Sequence, residues 1–408
     1  MLTAEPSDQG IRGVLSMTTD RIAPTSATLH AAASAAAISA VLAAGAAVAG
    51  PQVRGVAVGS ADVGATGRVT TVDQHSNNAL IEWNEFDVNA DEAVNFNVPG
   101  HNSVTLNRVL DSDASRIDGT IRARVRGTGE VGGNVWIVNR HGIHVGDGAL
   151  IDVGGLLLST ADITDENFAA GNYVFDQAGE AGAEVINRGT VSFADEGLVG
   201  LVAPYAANRG FVAGRLGRVV VGGAETFAVD LHGDGLMAFE LDPASTDASA
   251  INAGTIANEG GFVLLSAETV SGMVGAVAAT SNSGLIDVSG ATGGTAVVAA
   301  RGGATSMTAG EVRATGSAGD GGVVGVFGDD ISVDAASSVD ASGSEAGGLV
   351  FMRAANGLEF AGDIAARGGS GDGGFVDTSA PTVDISGLVD ASSEFGLAGT
   401  WLIDPADL

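Results

Sequence analysis

The 408-residue sequence contains no cysteine and no lysine. Without cysteine the chain has no disulfide bonds, so its stability must come from apolar burial and backbone hydrogen bonds. Its 18 basic residues are all arginines and face 49 acidic residues, which gives a net charge of −31. A chain this acidic repels polyanions, and we therefore expect no nucleic-acid partner.

Aromatic residues are scarce at 5% of the chain, whereas glycine accounts for 63 residues and apolar residues for 45%. A core of Ala, Val, Ile and Leu with this much glycine suits thin, repeated layers better than one large globular interior. Sustained helical spacing of apolar residues is also missing between residues 50 and 408, so the pattern predicts no crossover helices there. These scarcities favour an elongated, all-β molecule.

Residues 1–49 have the features of a secretory leader. A polar start is followed by an alanine-rich run without formal charge, which ends at Ala47-Val48-Ala49. Small residues at these positions suit signal-peptidase cleavage after Ala49. The run is also long enough for a membrane anchor. However, alanine drives insertion weakly and no arginine cluster flanks the run, so we favour the leader over an anchor or an unprocessed segment.

Alternation of apolar and polar residues predicts short strands across residues 79–160, with Gly, Asn and Asp at the turns. The apolar positions of this stretch are expected to share inward faces: Val104, Leu106, Ile121, Ala123, Val125, Val135, Ile137 and Val153. Residues 52–78 also alternate, and we expect these strands to cap the first layer of the fold.

Two series of repeats follow. Turns with Asn and Gly, residues that are able to take positive φ, precede a strand each time at Asn187, Asn208, Asn252 and Asn282. Apolar anchors then recur about every 25 residues, at Ile286, Val312, Val339, Ile364 and Val389. Several short strands per period of this length are typical of a solenoid. The sequence therefore predicts a right-handed parallel β-helix of the pectin-lyase type with an N-terminal cap.

Several blocks resemble one known family, and they occur in the family's order: Trp83-Asn84-Glu85-Phe86, Val94-Asn95-Phe96, Leu106-Asn107-Arg108-Val109, Trp136-Ile137-Val138-Asn139, Gly142-Ile143, Val153-Gly154-Gly155-Leu156, Ala170-Gly171-Asn172-Tyr173 and Gly233-Asp234-Gly235-Leu236. The family is the haemagglutination-activity domain at the N-terminus of filamentous-haemagglutinin-type exoproteins. The resemblance implies export by two-partner secretion, with an outer-membrane transporter and its periplasmic POTRA domains as partners. It also implies an adhesin or haemagglutinin at the cell surface or in the medium, and a possible host receptor.

The expected organisation has four parts. Residues 1–49 form the leader, 50–78 the cap strands, 79–260 the secretion domain, and 261–408 further β-helix repeats that begin a shaft. The chain is expected to be a monomer. An alternative is a secretion module of a truncated exoprotein with no activity of its own.

Two groups of residues are candidates for recognition by the transporter. Asn139, Arg140, His141 and Gly142 stand where the family carries an Asn-Pro-Asn-Gly turn, which the resemblance associates with secretion competence. Only Asn139 and Gly142 match that turn, and a corner without partner contact is the alternative. Separately, Arg122, Arg124 and Arg126 alternate with apolar residues, so a strand would place them on one outward face, ready to dock on an acidic surface or simply solvated.

The sequence gives little support for catalysis or metal binding. A β-helical enzyme acting on polysaccharide would need paired carboxylates in an outer cleft. Asp320 and Asp372 instead precede Gly pairs of the kind found in turns. His141 and His144 lack further ligands nearby, and the glycine-rich nonapeptide of calcium-binding β-rolls is absent. We therefore expect no catalytic residue, no cofactor and no metal site.

Overall fold

The computed structural model describes residues 50–230, 239–242, 244, 247–269 and 277–405. The expected cleavage site at Ala49 and the block at Gly233–Leu236 lie outside these ranges. The strands, numbered along the chain, are β1 Gln52–Val58, β2 Ala61–Thr66, β3 Val69–Gln74, β4 Asn78–Glu85, β5 Ala93–Val98, β6 Val104–Val109, β7 Ser115–Ile117, β8 Thr120–Val125, β9 Asn134–Asn139, β10 Ile143–Val145, β11 Leu150–Val153, β12 Gly155–Ser159, β13 Val174–Phe175, β14 Glu184–Asn187, β15 Thr190–Phe193, β16 Leu198–Ala203, β17 Tyr205–Asn208, β18 Phe211–Arg215, β19 Arg218–Gly223, β20 Phe227–Val229, β21 Phe239–Leu241, β22 Ala248–Asn252, β23 Thr255–Glu259, β24 Phe262–Glu268, β25 Ala278–Asn282, β26 Leu285–Asp287, β27 Thr295–Arg301, β28 Gly303–Met307, β29 Glu311–Arg313, β30 Val323–Val333, β31 Ser338–Asp340, β32 Leu349–Phe360, β33 Asp363–Ala365, β34 Phe375–Ala380, β35 Thr382–Ile385, β36 Leu388–Asp390 and β37 Thr400–Pro405. The described residues hold one helix, α1 Asp165–Ala170.

The strands build three parallel faces, and one turn of chain through the faces is a coil. Face 1 contains β4, β6, β9, β12, β16, β19, β24, β27, β30, β32, β34 and β37. Face 2 contains β7, β10, β14, β17, β22, β25, β28, the second halves of β30 and β32, and β35. Face 3 runs from β3 through β5, β8, β11, β15, β18, β23, β26, β29, β31 and β33 to β36. The predicted right-handed parallel β-helix is confirmed.

The register shows how regular the coils become. On face 1 the partners are Leu80, Leu106, Trp136, Leu157, Gly200, Val220, Leu264, Val297, Gly325, Phe351, Asp377 and Leu402. The last four steps are 28, 26, 26 and 25 residues, whereas the steps after Leu157 and Val220 are 43 and 44 because segments are inserted there. On face 3 the five apolar anchors predicted from the sequence are successive register partners.

The N-terminal end has a different strand arrangement. β1 pairs antiparallel with β4 at the edge of face 1, and β2 pairs antiparallel with β3 at the edge of face 3. Outward positions of both strands are exposed. These antiparallel strands thus occupy the edges where a preceding parallel coil would otherwise pair.

The interior core is a continuous stack of Val, Ile, Leu and Ala side chains, with Trp83, Phe86 and Phe96 in the first coils. Six of the eight predicted inward residues lie in it, but Val104 and Leu106 point outward from face 1. Their neighbours Thr105 and Asn107 point inward instead, because they serve buried polar groups. Thr105 donates to Gln74 Oε1, and Asn107 Oδ1 accepts from Trp83 Nε1 at 3.0 Å.

A second, outer core explains why Val104 and Leu106 are buried. Two inserted segments pack against the outer side of face 1, one carrying α1 and β13 and the other β20 and β21; we call them the cover. Side chains of the cover and of face 1 together form this core: Leu80, Val104, Leu106, Trp136, Val138, Leu157, Ala161, Ile163, Phe168, Tyr173, Phe175, Leu198, Val202, Val220, Ala224, Phe227 and Val229.

Helix α1 is not predicted from the sequence, although residues typical of helix caps can be recognised there. Thr164 is the N-cap and its hydroxyl accepts from the Asn167 backbone N–H at 3.1 Å. Gly171 ends the helix with φ of 73°. Asp165 and Glu166 fill the first turn, where the helix dipole favours acidic residues. Six residues are too few to give a helical period, so only these caps indicate the helix.

The Asn–Gly repeats lie at turns that precede a strand, as predicted, and their asparagines also form a buried ladder. Asn187, Asn208, Asn252 and Asn282 are fully buried and stack in register, each amide bonding to the next at 2.8 to 2.9 Å. The glycines that follow them do not have positive φ. A Cβ at Gly254 would lie 2.2 Å from the Gly210 carbonyl oxygen, so glycine permits close stacking of coils there.

Candidate functional site

The three arginines of β8 and its end do share the outward side of face 3, near the N-terminal end. Arg122 and Arg126 are exposed, and Arg124 is partly buried. Among the described residues, Arg122 has no hydrogen-bond or ion-pair partner, so its guanidinium is open to solvent. The row predicted from the alternation is therefore present as a surface.

Two of the three arginines are already engaged within the chain. Arg124 forms an ion pair with Asp152 on the neighbouring strand and also donates to the Asp152 backbone carbonyl at 3.0 Å. Arg126 lies 3.0 Å from His75 Nδ1, and His75 Nε2 lies 2.9 Å from Asp62 Oδ2. Neighbouring groups of this kind hold two arginines in place, which leaves Arg122 as the most available charge in the row.

The turn candidate is a tight corner between face 1 and face 2. The Gly142 N–H donates to the Asn139 carbonyl at 3.0 Å, and Gly142 has φ of 118°. The Asn139 side chain is fully buried: it donates to the Asp113 carbonyl and the Ser115 hydroxyl at 3.0 Å each, and accepts from the His141 N–H at 2.9 Å. Asn139 thus fastens the corner to the preceding coil.

The other two turn residues differ in exposure: Arg140 is exposed, whereas His141 is partly buried and its Nδ1 has no hydrogen-bond partner among the described residues. Arg140 Nη2 is 3.8 Å from Glu180 Oε1 and half exposed. His144, just beyond the turn, has Nε2 at 3.0 Å from Glu184 Oε1, with angles that do not form a hydrogen bond. Within the described chain there is no group of three or more His, Asp or Glu placed to hold a metal ion.

A chain of ionic contacts crosses the outer side of face 1 and reaches the cover. Arg108 lies between carboxylates: its Nε is 2.9 Å from Asp162 Oδ2 and its Nη1 is 2.6 Å from Asp165 Oδ1. Its Nη2 also donates to the Ile163 carbonyl at 2.6 Å. On the other side Glu82 is 3.8 Å from both Arg108 and Arg54. Through Arg108 the cap strand β1, the first coils and the start of α1 are electrostatically linked.

Burial is the largest influence on the pKa of one carboxyl in this chain of contacts, that of Asp162. It raises the pKa of the Asp162 carboxyl, an effect opposed by the Arg108 charge and by the Ile163 N–H. Nearby, burial and then the charges of Asp87 and Asp111 raise the pKa of Glu85. The corner after β4 therefore concentrates carboxylates that repel one another.

The remaining acidic candidates are structural. Asp320 Oδ1 accepts from the Ala346 N–H at 3.0 Å, and Asp372 Oδ1 accepts from the Leu397 N–H at 2.8 Å. Each carboxylate thus joins a corner to the corresponding corner of the next coil. Over the described ranges, no helix combines the length and the hydropathy that a bilayer span requires.

This architecture defines the class of protein: a three-faced parallel β-helix with antiparallel strands at its N-terminal edges and a cover packed on one face. Residues 47–314, about two thirds of the chain, match the family model described as the TPS secretion domain. The chain belongs to the TPS secretion domain family. Family membership implies an outer-membrane transporter as partner and secretion across the Gram-negative outer membrane.

Known relatives agree with this assignment. A heme/hemopexin-binding protein of Haemophilus influenzae strain Rd is 36% identical over 113 residues, which are 28% of this chain and 12% of that protein. A second heme/hemopexin-binding protein of Haemophilus influenzae is 33% identical over 105 residues, 26% of this chain and 10% of its own length. The matches thus span about a tenth of these relatives.

One solved structure is similar in fold. The HMW1 secretion domain from Haemophilus influenzae superposes with a TM-score of 0.67 at 24% identity, covering 87% of this chain and all of that chain. At this identity the likeness shows the fold.

Proposed function

We propose that this chain is the export part of a two-partner exoprotein, recognised in the periplasm by the POTRA domains of its outer-membrane transporter. The observation that best supports this proposal is the family match over residues 47–314. This range includes the antiparallel N-terminal strands, the cover and the coils through β29. That range is wider than the residues 79–260 expected from the sequence. The unit offered to the transporter therefore includes β1 to β3.

The strands suggest how an unfolded chain would be bound and then released. They are short and mostly alternate an apolar inward side with a polar outward side, so each can add to a sheet edge of the transporter by β-augmentation. Outside the cell every new coil pairs in parallel with the coil before it, as β34 and β37 do over six residues. The hydrogen bonds and apolar burial gained per coil would oppose return through the pore.

Within the row of arginines, we propose Arg122 as the residue that docks on an acidic surface of the transporter. Arg122 has no partner among the described residues, whereas Arg124 is paired with Asp152. For the Asn139–Gly142 turn, the buried amide contacts favour a role in folding of the early coils over direct contact with the transporter.

Adhesion or haemagglutination, with a host receptor, is proposed only for the exoprotein as a whole. The alternative is a secretion module without activity of its own. Heme or hemopexin binding is not extended to this chain, because the similarity to those relatives covers 12% and 10% of their length. A polysaccharide-degrading activity is less supported still, since Asp320 and Asp372 are engaged by backbone N–H groups.

The first test compares culture medium and periplasm with and without the candidate transporter, using an antibody to residues 180–400. Transporter-dependent appearance in the medium supports the proposal, and mass spectrometry of that material locates the mature N-terminus. Secretion that ignores the transporter would overturn it.

A second test addresses docking. Arg122→Gln is expected to slow secretion several-fold without changing thermal stability. Its matched control is Arg313→Gln, which lies at the equivalent register position of face 3 but pairs with Glu311. Equal secretion of Arg122→Gln and the unaltered chain would remove Arg122 from the mechanism while leaving the transporter dependence intact.

A further inference from the structure

The outer side of face 1 continues beyond the cover as an apolar surface. Leu264 on β24 still packs against the outer core, as does Val220, its register partner in the preceding coil. In the coils after β24, the outward positions of face 1 stay aligned in register, and none of the described residues forms an element that covers them. We call this surface the strip; its apolar members are Phe262, Leu264, Val297, Val323, Phe327, Leu349, Phe351, Phe375 and Leu402.

Exposure varies along the strip, and most of its apolar members are partly buried. Leu349 is 38% exposed and Leu402 is 41% exposed. Phe351 is nearly buried because it packs between neighbours on the strip: its ring centroid is 5.9 Å from that of Phe375, and the Arg353 guanidinium lies 5.2 Å above it. The two rings, inclined at 50°, and the guanidinium therefore pack against one another on the outer side of face 1.

The charges on the strip are paired, except for one carboxylate at its end. Arg353 Nη2 lies 2.6 Å from Asp377 Oδ2, and Asp377 is only 1% exposed. Arg301 Nη1 lies 3.6 Å from Glu268 Oε2 at the opposite margin. Asp404 on β37, at the end of the strip, is its one unpaired carboxylate among the described residues.

The other two faces of the same coils are acidic outside. Face 3 carries Asp287, Asp340 and Asp363 at outward register positions, together with Glu311 and Asp390, which are paired with Arg313 and Arg367. Face 2 carries outward carboxylates as well, at Asp330, Glu359 and Asp384. In a protein of net charge −31, contact between two copies through these faces would bring like charges together.

We propose that the strip is an interaction surface for a second copy of this chain, with the two strips packed face to face. A basic partner would be attracted to the carboxylates of faces 2 and 3 more than to the strip, which has one unpaired carboxylate. A second copy matches the strip in charge and apolar character. It would bury the outward apolar side chains of these coils, as the cover does in the earlier coils. This inference revises the monomer expected from the sequence and does not depend on the export role.

The strip's size sets the strength of the association. Over the described coils, six strands at about 4.8 Å spacing and a width of five residues at about 3.3 Å each give roughly 480 Å² per copy. That is below the roughly 800 Å² per partner of a stable interface. We therefore expect a weak, reversible dimer that forms at high micromolar concentration and is not weakened by added salt.

Sedimentation velocity of the secreted chain over a wide concentration range tests the proposal. Leu349→Asp places an unpaired charge on the strip and is expected to weaken dimerisation about tenfold or more. Leu150→Asp is the matched control, because Leu150 is an exposed outward residue on face 3 at 50% exposure. Leu397→Asp tests whether two copies instead associate through the C-terminal end of the described chain, where Leu397 is 75% exposed.

Cross-linking gives an independent readout if Leu349→Asp disturbs folding. Because the chain has no cysteine, Leu349→Cys and Leu150→Cys are each single labels. A short bismaleimide is expected to link Leu349→Cys chains in pairs and to leave Leu150→Cys chains unlinked. A monomer at every concentration, equal effects of Leu349→Asp and Leu150→Asp, or a dimer lost only with Leu397→Asp would each overturn the proposal.

Discussion

The indole ring of Trp136 meets the phenol ring of Tyr173 edge to face, with centroids 4.7 Å apart and planes inclined at 81°. Trp136 lies on β9 of face 1, and Tyr173 belongs to the cover. Phe168 and Phe175 also pack on the indole, at 6.5 Å and 5.8 Å. This aromatic cluster joins the cover to the β-helix.

Replacing Trp136 with Ala should release the cover. Loss of a fully buried aromatic side chain costs roughly 3–5 kcal/mol. We expect amides of α1 and β13 to exchange with solvent faster than those of the interior strands, measured by hydrogen exchange. Trp401→Ala is the control, since Trp401 is 37% exposed at the last strand. Equal destabilisation by both substitutions would contradict this role of Trp136.

Replacing Asn252 with Ala should break the asparagine ladder. Asn252 accepts from Asn208 at 2.9 Å and donates to Asn282 at 2.8 Å, so two buried amides lose a partner. The expected cost is roughly 2–4 kcal/mol in the free energy of unfolding, measured by denaturant titration. Asn97→Ala, which removes an amide bonded to Asp73 on the outside of face 3, should cost under about 1 kcal/mol.

Replacing Gly348 with Ala should strain the stacking of the last coils. A Cβ at Gly348 would lie 2.1 Å from the Gly322 carbonyl oxygen, a distance at which the backbone must move. We expect a loss of about 2–3 kcal/mol, measured by thermal or chemical unfolding. Gly64→Ala is the control because no atom lies within 4 Å of its Cβ. An unchanged stability of Gly348→Ala would mean that the neighbouring backbone can move aside for the methyl group at little cost in free energy.

The acidic corner after β4 predicts a pH-dependent effect of Asp111→Asn. Burial, and then the charges of Asp87 and Asp111, raise the pKa of Glu85; burial, with Asp111 again contributing, raises that of Asp87. A carboxyl with a raised folded-state pKa contributes stability below its unfolded pKa and loses it as pH rises through the folded pKa. Removing the Asp111 charge should therefore stabilise the fold at neutral pH.

The measurement is the difference in melting temperature between Asp111→Asn and the unaltered chain. We expect a positive difference at neutral pH that shrinks toward zero near pH ~4, where carboxyls become protonated. Asp147→Asn removes the same formal charge from an exposed turn and serves as control. A difference that is independent of pH, or one shared by the control, would argue against coupling of Asp111 to Glu85 and Asp87.

The sequence predicts on which side of a strand many candidate-site residues lie, but it does not predict which groups surround them. The alternation around Arg122 predicted an outward row correctly, because strand geometry alone sets which side a residue faces. It did not predict that Arg124 pairs with Asp152, since that contact joins strands of successive coils. The buried amide of Asn139 was likewise invisible, because its partners Asp113 and Ser115 belong to the preceding coil.

By itself the sequence determined the repeating element: the strand alternation, the period near 25 and the stacked anchors from Ile286 to Val389 follow from local pattern. Only the tertiary structure decided which side of face 1 is buried. Val104 and Leu106 have the same alternation whether they face the interior or the cover, and the polar partners of Thr105 and Asn107 select the orientation. Register in a β-helix is chosen by contacts between successive coils, whose residues are far apart in sequence, and single-strand periodicity carries no information about these contacts.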